Sequence, residues 1–222
     1  MGRKHIVFDC DGTLVDSHSV IFDAIQMLMT EHLEREVSLE EVKQKYSADM
    51  PTVAAEFGID VRDQQTAGKL LKRWQEVSQI GNEEIALYPE ITELLEQLKN
   101  SDTTTLLWTA RDRRSTEYIL KRAGIEQYFE KIVCADDTKL PKPFPDGLEL
   151  LGRDFPKESM ILIGDSAADL KGAQSFGIPL VAACWNEWAD HKIFAQDGKL
   201  LKANTPLQCL DLFKKLNGVL DV

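Results

Sequence analysis

Two aspartates one residue apart, Asp9 and Asp11, are the first residues of this sequence whose types and spacing could do chemistry. They follow a short apolar run at residues 6–8 and precede Gly12. Such a run is typical of a buried parallel strand, and a glycine permits the sharp turn after it. Ligands of open α/β sheets bind at the carboxyl ends of the strands, so both carboxylates are expected at a binding crevice. Alone, the pattern is equally typical of aspartates that cap a turn.

A second carboxylate pair strengthens the chemical interpretation. Asp165 and Asp169 follow the aliphatic run at residues 160–164, just as Asp9 and Asp11 follow the first run. If the two runs form neighbouring strands, the four carboxylates converge on one crevice, where their mutual repulsion costs several kcal/mol or forces protonation. A divalent cation would relieve that repulsion. Oxygen ligands without histidine or cysteine select a hard ion, so the sequence predicts a Mg²⁺ site.

The elements that must position these residues follow from the hydrophobic pattern. Residues 17–87 have helical spacing and are predicted to form helices without strands, whereas helices and strands alternate after Tyr88. The first strand needs neighbours, so the helical segment is predicted to be an insertion. We therefore expect an α/β core of residues 1–16 and 88–222, with a doubly wound parallel sheet, and a helical domain of residues 17–87.

A proline-rich loop could bring a positive charge to the same edge of the sheet. Lys142 lies between Pro141 and Pro143, in the connection between the predicted third and fourth strands. Prolines stiffen a loop, and an ammonium held there would offset the aspartates. A lysine on a polar surface loop is the alternative interpretation of this residue alone.

Composition limits the partners. The net charge of −11 argues against nucleic acid or an anionic membrane as the main partner, because both require clustered Lys and Arg. The four cysteines are far apart, without a CxxC pair, so neither a zinc site nor a disulfide framework is predicted. The first apolar run is too short for a signal peptide or a membrane span. We expect a cytoplasmic protein, to which a small anion could still bind where the local charge is reversed.

Four motifs in order give the chain a family resemblance. They are DCDGTLVDS from Asp9, Thr109 after the second predicted strand, Lys142 in KPFP, and GDSAADL from Gly164. Together they resemble the haloacid dehalogenase superfamily, in particular its phosphoglycolate phosphatase-like members with a helical cap of the C1 type. The resemblance covers nearly the whole chain. It implies a Rossmann-like sheet of strand order 3-2-1-4-5, with the helical cap inserted after the first motif.

The resemblance also implies roles for individual residues. Asp9 would be the nucleophile that forms an aspartyl phosphate, and Asp11 the acid and then the base. Thr109 and Lys142 would bind the phosphoryl group, with Ala110 and Arg111 as further substrate-binding residues. For Arg111, a mere ion pair with a surface carboxylate is an equal alternative.

The implied cofactor is Mg²⁺. Its ligands would be Asp9, the backbone carbonyl of Asp11, and Asp165, with Asp169 either a ligand or a support for the ligands. Cys10, between the first two aspartates, is expected to be a small filler and not a second nucleophile, because neighbouring carboxylates oppose thiolate formation.

The resemblance therefore implies Mg²⁺-dependent hydrolysis of a small phosphorylated metabolite, a phosphate monoester, with a phosphoglycolate phosphatase-like enzyme as the first expectation. We expect a monomer or a homodimer. Nucleotides, pyrophosphate and sugar phosphates are alternative substrates. Residues 46–57 contain no basic side chain, which weighs against a sugar phosphomutase that binds a second phosphate. Two further hypotheses are a haloacid dehalogenase, which would not need the carboxyl of Asp11, and a non-catalytic binding protein, which would normally have lost a motif.

Overall fold

The computed structural model describes residues 4–47, 50–78 and 80–219, and the side chains through residue 216. The chain forms two compact units, one of Met1–Asp16 with Ala86–Val222 and one of Ser17–Ile85. The first half of the chain contains β1 (Lys4–Phe8), β2 (Val15–Asp16), α1 (His18–Leu33), α2 (Leu39–Lys45), α3 (Met50–Glu56), α4 (Gln64–Val77), β3 (Ala86–Leu87), α5 (Ile91–Lys99) and β4 (Thr103–Trp108). The second half contains α6 (Arg113–Arg122), β5 (Phe129–Val133), α7 (Asp146–Gly152), β6 (Met160–Gly164), α8 (Ala167–Phe176), β7 (Leu180–Ala183), α9 (His191–Gln196), β8 (Leu201–Ala203) and α10 (Gln208–Val219).

The larger unit is built on a six-stranded sheet of order β5-β4-β1-β6-β7-β8, and every pairing in it is parallel. Its first five strands have the predicted order 3-2-1-4-5, which confirms the α/β fold class. The sixth strand, β8, was not predicted, because three residues are too few to show a hydrophobic period. β8 extends the sheet beside β7, with Ala182 opposite Lys202.

Strands β1 and β6 lie next to each other in the middle of this sheet, with Phe8 paired to Ile163. Residues 6–8 of β1 and 160–163 of β6 are continuous apolar runs, and the side chains of Phe8, Leu162 and Ile163 are completely buried. Strands with helices on both faces need apolar residues at every position, which is the pattern that the sequence has. The two carboxylate-bearing strand ends are therefore neighbours.

The boundary between the two units differs slightly from the predicted one. Ala86 and Leu87 were assigned to the helical segment, but they form β3 in the larger unit and pair antiparallel with Asp16 and Val15 of β2. The prediction that residues 17–87 form helices without strands was therefore wrong at residues 86 and 87. The ribbon is two residues long on each side, so neither strand could produce a visible alternation in the sequence.

The smaller unit, Ser17–Ile85, contains helices α1 to α4. The Ser38 hydroxyl accepts a hydrogen bond from the backbone N–H of Glu41 (3.1 Å), and so caps α2. Arg73 of α4 pairs with Glu31 of α1 (Nη2–Oε1 2.7 Å) and ties the two longest helices of the unit together. Throughout the described ranges, no helix has both the length and the apolar character that crossing a membrane requires.

Candidate active site

Three strands of the sheet end in the polar residues of the predicted motifs. Asp9 follows β1, Thr109 follows β4 and Asp165 follows β6. The hydrogen bonds of the sheet continue one residue past β1 and β4. The backbone N–H of Asp9 donates to Ile163 O (2.9 Å), and that of Thr109 donates to Val133 O (3.0 Å). Because the strands are parallel neighbours, the three side chains are brought to the same edge of the sheet.

A carboxylate cluster lies at this edge. One oxygen from each of Asp9, Asp165 and Asp169 can be chosen so that all three lie within 4.8 Å of one another, and all three residues are buried. Burial raises the pKa of Asp9 from 3.8 to about 7, and it raises the pKa of Asp165 well above its ordinary value. The cluster is therefore short of positive charge. Its oxygen-only donors fit a hard divalent cation such as Mg²⁺.

Lys142 supplies positive charge from the proline-rich loop. Its Nζ donates to Asp9 Oδ1 (2.5 Å) and to Asp169 Oδ1 (2.6 Å), and its side chain is only 3% exposed. Burial alone would lower the pKa of this ammonium, but Asp169 and Asp9 raise it above its ordinary value. Lys142 is thus a permanently charged part of the cluster, and the alternative of a lysine on a polar surface is excluded.

The side chain of Trp108 forms the floor beneath this ammonium. Nζ of Lys142 lies 4.5 Å from the centroid of the indole ring, within the range of a cation–π contact. The ring fits because two helices present glycine to it. A Cβ atom at Gly147 of α7 would lie 2.1 Å from Nε1 of Trp108, and one at Gly172 of α8 would lie 2.4 Å from Cη2. The position of Lys142 on the indole ring therefore depends on a glycine in α7 and a glycine in α8.

We expect the Gly147→Ala variant to lower stability by about 1–3 kcal/mol, the usual cost of overpacking, because the new methyl group must displace the indole. Activity should fall as well, since the ring contacts Lys142. Gly68→Ala is the matched control: this glycine is also helical, and no atom would lie within 4 Å of its new Cβ. That variant should be neutral or up to about 1 kcal/mol more stable. Urea unfolding of both variants measures the difference, and equal stabilities would contradict the expectation.

Both carboxylate oxygens of Asp169 accept hydrogen bonds from other residues of the protein. Oδ1 accepts from Lys142, whereas Oδ2 accepts from the Ser166 backbone N–H (3.1 Å) and hydroxyl (2.6 Å). The Ser166 hydroxyl in turn accepts from the N–H of Asp169 (3.2 Å), so the two residues form a capping box at the start of α8. Helix capping therefore fixes the carboxylate that holds Lys142.

Asp11 pairs with Arg111 and is not one of the three clustered carboxylates. Nη2 of Arg111 lies 2.5 Å from Asp11 Oδ1, and Nε lies 3.0 Å from Oδ2, a two-point contact between planar groups. The Arg111 side chain is 10% exposed. Substrate and a surface carboxylate were the two predicted partners of Arg111. In the structure Arg111 contacts a carboxylate, but this carboxylate belongs to the predicted acid, Asp11, and not to a surface group.

Thr109 and Ala110 occupy the turn after β4. Thr109 is buried, and its hydroxyl oxygen accepts a hydrogen bond from the backbone N–H of Arg111 (3.1 Å), whereas Ala110 is exposed. Cys10 is completely buried. Burial and, next, the charge of Asp11 raise the pKa of its thiol well above the ordinary value, as expected of a filler and not of a nucleophile.

The segment that follows β7 also belongs to the site, although its residues were not predicted to do so. The Asn186 side chain donates to Asp165 Oδ2 (3.1 Å), and the backbone N–H of Asp190 donates to the Asp165 carbonyl (2.9 Å). The Asp190 carboxylate accepts from the backbone N–H of Ala167 (2.5 Å) at the start of α8. Their position in the sequence could have indicated this role. They follow β7, the strand next to β6, and so reach the same edge of the sheet.

The raised pKa of Asp9 predicts a pH dependence for the metal-free protein. A carboxyl whose pKa is higher in the folded than in the unfolded state contributes stability below the unfolded value, and that contribution is lost as pH rises through the folded value. For Asp9 the window runs from 3.8 to about 7. The melting temperature of the native protein minus that of Asp9→Asn, measured in EDTA, should therefore fall across this window. A difference that stays constant or rises would contradict the assignment.

Comparisons with known proteins agree with this geometry. A model of the haloacid dehalogenase-like hydrolase family matches residues 6–183. A protein provisionally named pyrophosphatase PpaX, from Caldanaerobacter subterraneus subsp. tengcongensis, is 27% identical over 186 residues, covering 82% of this chain and 81% of that protein. Pyrophosphatase PpaX from Bacillus mycoides is 23% identical over 185 residues, covering 81% and 83%.

Solved structures share the fold. A predicted phosphatase from Clostridium acetobutylicum superimposes with a TM-score of 0.82 at 22% identity, covering 98% of this chain and 100% of that chain. A protein provisionally described as a phosphoglycolate phosphatase, from Lactobacillus plantarum, has a TM-score of 0.81 at 23% identity, covering 96% and 100%. At these identities the structures support the fold, and the site must be argued from its own residues.

Proposed function

The chain belongs to the haloacid dehalogenase-like hydrolases and is a phosphatase of that family, and we propose that it hydrolyses a small phosphate ester with Mg²⁺ through an aspartyl phosphate on Asp9. One observation carries the proposal. Asp9, Asp165 and Asp169 form a buried cluster, and Lys142 lies 2.5 Å from Asp9 at the carboxyl edge of the sheet. A site of this charge distribution is suited to hold a cation and a phosphoryl group side by side.

The first step uses Asp9. A carboxylate oxygen of Asp9 forms a bond to phosphorus while the bond from phosphorus to the leaving oxygen breaks, and Asp11 gives its proton to that oxygen. In the second step Asp11 takes a proton from water, and the oxygen of that water attacks phosphorus. The acyl phosphate bond breaks, and Asp9 and inorganic phosphate are released. The two carboxylates have different neighbours, because Lys142 contacts Asp9 and Arg111 contacts Asp11. A guanidinium favours the ionised carboxylate, which suits Asp11 as the base of the second step.

The other residues of the site would neutralise the charge of the phosphoryl group and orient it. Lys142 and Thr109 would donate to phosphoryl oxygens. Asp9, Asp165 and the Asp11 carbonyl would hold Mg²⁺, which when bound supplies positive charge against the phosphoryl oxygens. Both oxygens of Asp169 accept hydrogen bonds from the chain itself, which favours a role in holding Lys142 over direct contact with the ion. The helical segment Ser17–Ile85 stays the proposed cap, which would select the substrate.

Within this class, phosphoglycolate stays the first candidate substrate and inorganic pyrophosphate is the second. Pyrophosphate is favoured by relatives named pyrophosphatase PpaX. The pairing of Arg111 with Asp11 agrees with it, since a guanidinium beside the acid would stabilise an anionic leaving group. Phosphate leaves as a stable anion, whereas an alkoxide must receive a proton as it leaves.

A substrate panel tests the function. Phosphate release should be measured with phosphoglycolate, pyrophosphate, a sugar phosphate, a nucleoside monophosphate and p-nitrophenyl phosphate. At least one should be hydrolysed in Mg²⁺, EDTA should abolish turnover, and added Mg²⁺ should restore it. A haloacid dehalogenase would instead release halide from a haloacid without metal. Failure with every phosphate ester in Mg²⁺ would favour the non-catalytic hypothesis and contradict the proposal.

A further inference from the structure

Two consecutive side chains after β7 hold two consecutive carbonyls after β1. Nε1 of Trp185 donates to the carbonyl of Thr13 (3.1 Å), and Nδ2 of Asn186 donates to the carbonyl of Gly12 (2.5 Å). Gly12 has a positive φ of 78°, and its backbone N–H donates to Val15 O (2.9 Å). The turn that begins at Asp11 is thus fastened from outside by a segment more than 170 residues later in the chain.

The same amide group also reaches the carboxylate cluster. The second hydrogen on Nδ2 of Asn186 is donated to Asp165 Oδ2 (3.1 Å). One side chain therefore bridges the turn after β1 and the carboxylate after β6, and Oδ1 of Asp165 is the oxygen left for a cation. Because asparagine is neutral, it holds Asp165 without adding a fourth negative charge to a cluster already short of positive charge.

The orientation of this amide is fixed. Oδ1 of Asn186 accepts from the backbone N–H of Trp188 (2.7 Å), so the opposite end must be the nitrogen. The backbone carbonyl of Asn186 lies 2.9 Å from Nε2 of His191. Asn186 is 5% exposed, and a buried amide with both ends engaged has one low-energy arrangement. It cannot rotate away from Asp165 without losing several hydrogen bonds.

From this geometry we propose that Asn186 is a positioning residue for the metal site: it fixes Asp165 relative to the turn that begins at Asp11, and thereby sets the affinity for Mg²⁺. The inference rests on the proposed function, because it assumes that the cluster binds this ion. Partners that orient ligating carboxylates typically change metal affinity or activity by about 10–100-fold when they are removed. Asn186 touches Asp165 through one hydrogen bond, so an effect in that range is expected.

Direct metal titration tests the proposal without a substrate. Metal-free native protein and Asn186→Ala are titrated with Mg²⁺ by calorimetry, and with Mn²⁺ by electron paramagnetic resonance. We expect Asn186→Ala to raise the dissociation constant about 10–100-fold. With the best substrate of the panel, the Mg²⁺ concentration for half-maximal rate should rise by the same factor, whereas kcat at saturating Mg²⁺ should change little.

Asn82→Ala is the matched control. Asn82 is also a buried asparagine, 7% exposed, but it belongs to the unit Ser17–Ile85 and not to the unit that contains the carboxylate cluster. Its variant should lower the melting temperature without changing metal affinity. If Asn186→Ala fails to fold, Asn186→Ser keeps a small polar side chain that cannot reach Gly12 and Asp165 together, and the same loss of affinity is expected.

The outcomes separate the two proposals. Native protein that binds neither Mg²⁺ nor Mn²⁺ would contradict the proposed function itself. Native protein that binds the ion, with Asn186→Ala binding it within twofold as tightly, would overturn only the role of Asn186. A loss of kcat at saturating metal with unchanged affinity would also overturn it, because a positioning role at Asp165 acts through the ion.

Discussion

The Asp9→Asn variant is expected to fold normally and to lose turnover by about 10⁴-fold or more, the scale seen when the nucleophile of an enzyme is removed. The replacement is nearly isosteric, but an amide oxygen is neutral and far less nucleophilic than a carboxylate. Phosphate release in saturating Mg²⁺ measures the loss. Rapid acid quenching followed by mass determination should reveal a phosphorylated native enzyme and no phosphorylated variant.

Asp23→Asn makes the same chemical change elsewhere and serves as the control, because Asp23 is an exposed residue of α1. It should retain native activity. Turnover by Asp9→Asn within about tenfold of the native rate would show that the phosphoryl group is not transferred to Asp9. A mechanism in which water attacks the ester directly would then have to replace the aspartyl phosphate.

The sequence predicted those parts of the site that lie on long, regular elements. The apolar runs ending at Phe8 and Gly164 are strong strand signals, and both are strands. The second has the predicted bounds, whereas the first begins two residues earlier than the apolar run, at Lys4. Once they are neighbours in a parallel sheet, the convergence of Asp9 and Asp165 follows from geometry alone. The match of the family model to residues 6–183 confirms the family resemblance and the hydrolase class. The motifs at strand ends could be recognised in the sequence because the hydrophobic pattern shows where those strands end.

Contacts between distant side chains could not be predicted in the same way. The pairing of Arg111 with Asp11 depends on the path of the turn after β4, and the role of Asn186 depends on a segment without periodic pattern. Likewise, a glycine at position 147 is unremarkable in sequence, and only the packing of Trp108 explains it. Such partners, from 21 to 100 residues apart along the chain, are set by tertiary packing, which no local pattern encodes.

The Lys142→Met variant is expected to lose both stability and activity, because it removes a buried cation and leaves its carboxylates uncompensated. Removing one partner of a buried ion pair costs about 3–5 kcal/mol. Loss of a charged donor to the transferring group costs about 10²–10³-fold in kcat. Urea unfolding in EDTA measures the first effect and phosphate release in Mg²⁺ the second. Lys139→Met is the control, since Lys139 is an exposed lysine of the same loop and should be close to native in both.

A double variant separates charge balance from catalysis. Asp169→Asn removes one of the two carboxylates that Lys142 contacts, so the cluster in Lys142→Met with Asp169→Asn carries one negative charge fewer than in Lys142→Met alone. We expect the free energies of unfolding to be non-additive, with the double variant more stable than Lys142→Met. Activity should not recover, because no ammonium is present to meet the phosphoryl oxygens. Additive losses of stability would mean that Lys142 and Asp169 do not interact energetically, despite the 2.6 Å that separates Nζ from Oδ1.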